Sequence, residues 1–146
     1  MIMSFEEIVN EILSTCLKHK QVNASDYGDL LKKLKGTSYN YPLCFLTDGK
    51  SDIKGSMVNL AFSLVVCDKL IHNESNELTV LSNCLSIGID IIGQLQFMGD
   101  QYQLDYRSVG MSPFIDSFPD VLGGWRFEIN ILIPENYNSC DAPFTV

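Results

Sequence analysis

The chain has 146 residues, the size of one ordinary domain, with 46% hydrophobic and 19% charged residues, so it is neither disordered nor a membrane bundle by composition. Ten basic against eighteen acidic residues give a formal net charge of −8, which argues against a nucleic-acid grip on the outer surface. Five cysteines (Cys16, Cys44, Cys67, Cys84 and Cys140) lack the short spacing of a zinc knuckle or redox pair, and a reducing compartment is expected.

The N-terminus has acidic residues where a signal peptide needs basic ones, and no apolar run is expected to reach a membrane span. Ser4 opens a first helix with Glu6 and Glu7 in its first turn, and Phe5, Ile8, Val9, Ile12, Leu13, Cys16 and Leu17 form its apolar stripe. The following VNASDYGD stretch reads as a loop or broken turn. A short second helix is expected from about Tyr27 to Leu34, stopped by Gly36, with the chain's one basic cluster (Lys32, Lys33, Lys35) on it. Tyr39–Leu46 is an apolar strand that Pro42 confines to an edge or to a strand start. Thr47–Ser56 is a long loop with mixed charge, a hairpin tip if its flanking strands pair.

Met57–Cys67 is the clearest strand. Val58, Leu60, Phe62, Leu64 and Val66 alternate with Asn59, Ala61, Ser63, Val65 and Cys67, so one face belongs to a core and the other is mixed. It is expected to pair with the Trp125–Ile133 strand or with Tyr41–Leu46. Ser75 or Asn76 then caps a helix from about Glu77 to Phe97. Its main stripe is read as Leu78, Leu81, Leu85, Ile89, Ile92 and Leu95, widened by Val80, Cys84, Ile87, Ile91 and Phe97. A helix this apolar is either deeply buried or packed on another subunit. Gly88 and Gly93 mark either close backbone contacts or tolerated positions. Tyr102–Arg107 is a short strand, Pro113–Asp120 is extended and irregular, Leu122–Gly124 is a turn, and Trp125–Ile133 is an amphipathic strand closed by Pro134. Residues Glu135–Val146 lack periodicity but carry Tyr137, Phe144 and Val146, as a C-terminal arm docked on its own domain or on a neighbour would.

No catalytic motif emerges. Cys16 and His19 lie three apart on a helix but lack an orienting third group, and His72 is remote from both. Asp48 and Asp52 fall short of a calcium loop, the glycines form no phosphate loop, and Trp125 reads as a core anchor before a ligand platform. The element order predicts an α+β fold of one domain (1–146, with 135–146 as the arm). Its mixed or antiparallel sheet has about four strands with helices packed on one face.

The segments MVNLAFSLVVCDKL, NESNELTVLSNCLSIGIDIIGQL and GWRFEINILIPENYNSCDAPF resemble the neck and tail-completion proteins of tailed bacteriophages, the tail-terminator-like group, as in crAss-like phages of Bacteroidetes. The resemblance runs from about Leu60 to Phe144. It implies a non-enzymatic virion subunit, made in the host cytoplasm, that forms a ring of six or twelve copies. Such a ring meets the portal or neck ring and tail proteins, and double-stranded DNA passes through its lumen without specific binding. No metal, cofactor or membrane is implied. Within a ring, the expected subunit contacts are Asp48, Lys50, Asp52 and Lys54 in the long loop and Tyr137 and Phe144 in the arm. The alternative from another class is a small monomeric or dimeric host-directed binding protein.

Overall fold

Ser4 accepts the backbone N–H of Glu7 while the Glu7 carboxylate accepts that of Ser4, a reciprocal cap that starts helix α1 at Phe5–Lys18. The computed structural model describes residues 4–71, 75–97, 102–117, 120–134 and 143. After α1 come β1 (Ala24–Tyr27), α2 (Leu30–Gly36), β2 (Leu43–Asp48), β3 (Asp52–Lys54), β4 (Met57–Lys69), α3 (Glu77–Leu95), β5 (Gln103–Leu104), a single 3₁₀ turn (Tyr106–Ser108), β6 (Gly110–Ser117) and β7 (Val121–Pro134). The α+β class and the mixed sheet are as expected, with seven strands where about four were predicted.

β4 is the axis of this sheet. It pairs antiparallel with β2 on one side (Val66 opposite Cys44) and along its whole length with β7 on the other (Phe62 opposite Ile129), so both expected partners are real. β1 lies outside β2 and parallel to it, while β5 and β6 follow one another along the outer side of β7. β2 therefore starts after Pro42 but is not an edge strand. The edge belongs to β1, in the stretch expected to be a loop, because the half-buried residues Ala24–Tyr27 still satisfy the backbone of β2.

The period-2 reading of β4 holds for both faces. Phe62, Leu64 and Val66 join Ile8, Ile12 and Cys16 of α1 and Ile87, Ile91 and Leu95 of α3 in the main core. On the reverse face, Val65 and Cys67 form a second, smaller core with Leu43, Phe45 and Leu122, closed by Leu30 and Leu34 of α2. The two long helices thus share one face, and short α2, which Asp29 caps, covers part of the other. The remainder of that face is polar: Asn59 and Ser63 are buried, Asn130 is half-buried and Glu128 is exposed, with Ser63 donating to Glu128.

Three further expectations are corrected. Leu122–Gly124 is not a turn but the start of β7, where Gly124 faces Cys67. Gly110–Ser117 is a regular edge strand despite Pro113, which an edge tolerates. The strand signal over Tyr102–Arg107 shrinks to two residues followed by the 3₁₀ turn.

Candidate interaction surface

Half of the expected long loop is strand, Thr47 and Asp48 ending β2 and Asp52–Lys54 forming β3. β2 breaks at Gly49–Ser51, where Gly49 donates to the Ala61 carbonyl at 2.8 Å and the Ser51 hydroxyl accepts from the Ala61 N–H at 3.1 Å. Pairing with β4 then resumes through β3, and a two-residue turn at Gly55–Ser56 closes the hairpin, with Gly55 at φ +59°. The break keeps the chain on the same neighbour while pushing β3 out as a tip.

The four predicted contact residues on this hairpin do different things. Asp48 is held within its own chain, since both of its oxygens lie within hydrogen-bond reach of the Tyr27 hydroxyl, at 2.7 and 2.6 Å. Asp52 accepts from the Asn59 side chain at 3.1 Å and lies 3.9 Å from Lys54. Lys50 and Lys54 are exposed. Between Asp52 and Lys54 stands Ile53, 67% exposed, which the charge-based expectation passed over. Its signal in the sequence was a lone aliphatic residue in step with Val58. The other two, Tyr137 and Phe144, lie outside the described residues, as do Cys140 and His72.

Helix α3 corrects the stripe assignment. The side chains it buries are Val80, Cys84, Ile87, Ile91, Ile92 and Leu95, with Gly88 among them, so the set expected to widen the stripe is most of the core-facing one. Leu78, Leu81, Leu85 and Ile89, at intervals of three and four, form a second stripe along the flank. Leu78 is 82% exposed, Ile89 48%, and the two between are half-buried. Phe97, just past the helix, is also exposed. No charged residue occurs between Glu77 and Asp90. At 19 residues and a mean hydropathy of 1.5, α3 is long and apolar enough to cross a membrane, contrary to the sequence expectation, but its inner stripe packs on β4 and β7.

Towards its C-terminal half the flank stripe opens into an apolar groove of about 270 Å³, walled by Ile89 and Ile92 on α3 and by Tyr106, Val109 and Met111 across from them. Met111 lies opposite Phe127 on β7, so the groove sits on the outer side of β7, away from the hairpin tip.

The chemical candidates resolve into structural roles. Cys16 is fully buried against Cys44, while His19 uses both ring nitrogens elsewhere: Nε2 reaches Asp90 at 2.9 Å and Nδ1 accepts the Gln21 N–H at 3.2 Å. The two are therefore not paired as nucleophile and base. Trp125 donates Nε1–H to the Leu81 carbonyl at 2.9 Å and packs on the core, as an anchor. Among the described residues no His, Cys, Asp and Glu cluster would hold a metal.

The phenols and thiols have a consequence at high pH. The Tyr27 phenol is pushed up to about 12 by its hydrogen bond to Asp48, and burial pushes Tyr39, with Asp26 assisting, and Tyr102 to about 12 as well. Burial likewise raises the Cys84 thiol to about 12 and Cys67 further. These folded values exceed the unfolded ones, so the neutral groups stabilise the fold fully below about pH 9 to 10, and that stabilisation is lost as pH rises through about 12. Thermal melts between pH 9 and 12 are expected to show a falling midpoint, less steep in Tyr27→Phe; parallel curves for the two proteins would contradict the Tyr27 assignment.

The chain matches no protein-family model and no curated protein sequence.

Proposed function

We propose that this chain is a non-enzymatic structural subunit that assembles with copies of itself into a ring of six or twelve, as a tail-terminator or head-to-tail joining ring in the neck of a tailed phage. The observation that carries the self-assembly is the second apolar stripe of α3. A helix on the surface of a monomer needs one apolar stripe, and the flank opposite is normally polar. Here Leu78, Leu81, Leu85 and Ile89 lie beside the buried stripe and broaden it without an intervening charge; Leu85 packs against the main core, while Leu78 and Ile89 stay exposed, in a chain with eighteen acidic residues. Exposed apolar side chains that continue a buried stripe on a charge-free helix fit an interaction site. A charge-free patch also lets identical, strongly acidic copies approach without repulsion across it.

The phage setting is supported by the resemblance over Leu60–Phe144, whose segments map onto β4, α3 and β7, the three elements that organise the sheet and its main core. The uncovered polar end of the reverse face, with Glu128 and Asn130, suits a wall along which DNA moves without being held. Antibody-gold labelling of purified particles is expected to mark the junction of head and tail. Particles that lack the chain, from infected cells in which it is abundant, would overturn the virion assignment.

A further inference from the structure

We propose that copies of this chain meet head to tail, with Ile53 at the hairpin tip of one copy seated in the apolar groove between Ile89 and Met111 of the next; the inference rests on the self-assembly reading above and names its contact. Ile53 projects from β3, which lies on the β2 side of β4, whereas the groove lies beyond β7 on the side of β5 and β6. β4 and β7 stand between them, so a subunit carries its knob on one edge of the sheet and its socket on the other. Two different complementary surfaces on one subunit are what a contact that closes by rotation requires, and an isologous pair does not have them.

The occupant fits in size and charge. The groove is apolar and of a volume that takes an aliphatic side chain, and Ile53, 67% exposed, is the apolar side chain at the tip. Lys50 and Lys54 lie close to it in the chain, and Asp105 precedes the groove residue Tyr106. Arg107, exposed beside Tyr106, is the matching cation for Asp52. Asp105 and Arg107 beside the groove thus oppose Lys54 and Asp52 of the tip in charge, in a chain whose net charge of −8 opposes indiscriminate self-association.

Ile53→Asp breaks the knob and leaves the socket, and Met111→Asp does the reverse. Both positions are more than half exposed, so both variants are expected to keep the wild-type melting midpoint and circular dichroism. Each alone is expected to weaken association, read by sedimentation velocity of the full chain, by at least about tenfold. Mixed, the two variants retain one intact socket and one intact knob between them, so they form a one-to-one dimer and nothing larger. Absence of that dimer overturns the contact. Assembly lost in Met111→Asp but unchanged in Ile53→Asp gives the groove another occupant and also overturns it. If wild type and both variants assemble alike, the contact fails while self-assembly stands; a wild-type chain that stays monomeric removes both.

Discussion

Gly124→Ala is expected to cost about 3 kcal/mol or more of folding stability, the largest effect of a methyl group added at any of the described glycines. Gly124 sits in β7 directly opposite Cys67 of β4. A Cβ there would run into the Val66 carbonyl oxygen and lie 2.8 Å from the Cys67 Cα. Those atoms are backbone of the central strand, fixed by β2 on one side and β7 on the other, so nothing flexible is available to move aside. Gly110 is the control, because a Cβ there meets only the Glu128 side chain, at 3.7 Å. Urea unfolding is expected to show Gly110→Ala within about 0.5 kcal/mol of wild type. A Gly124→Ala variant that loses less than about 1 kcal/mol would mean that the β4–β7 spacing is not as described.

Phe127→Ala is expected to cost about 3–5 kcal/mol, because the ring is fully buried at the centre of the main core and its loss leaves a cavity beneath α3. Gly88 explains how the helix comes so close: a Cβ at that position would collide with the Phe127 ring. Gly88→Ala alone is therefore expected to cost about 1–3 kcal/mol. In the Phe127→Ala background that cost should disappear, since the methyl group then enters the vacated space. Gly93, on the same helix, has nothing within 4 Å of a Cβ, so Gly93→Ala is expected to gain up to about 1 kcal/mol from helix propensity. Additive costs at Gly88 and Phe127 would show that the two do not share the contact.

How much of this was readable beforehand follows from which signals are local. β4 and the later part of β7 were legible because a strand with one face in the core alternates at period two over many residues, and α1 because its cap and stripe agree. β1 and β3 were not legible. ASDY and DIK are short and mostly polar, and only the neighbouring backbone of β2 or β4 makes strands of them. Leu122–Gly124 was misread for a related reason. Paired glycines usually signal a turn, yet Gly124 is there because two strands approach closely, which is visible only with Cys67 in place. In α3 the helix was plain but its orientation was not, since two apolar stripes are equally periodic and only packing chooses between them. The proposed interaction surface was half legible: the hairpin drew notice through its charges, while Tyr106, Val109 and Met111 meet α3 to form the groove only through the sheet.

The same packing choice carries the central claim, that the unburied stripe of α3 is covered by another copy. The mass of the purified full-length chain in solution tests it most directly, by native mass spectrometry across rising concentration. The account predicts growth from a 16.4 kDa subunit to one closed species of six or twelve copies, abolished by Ile89→Asp. A chain that stays at 16.4 kDa throughout, or an assembly indifferent to Ile89→Asp, would contradict it.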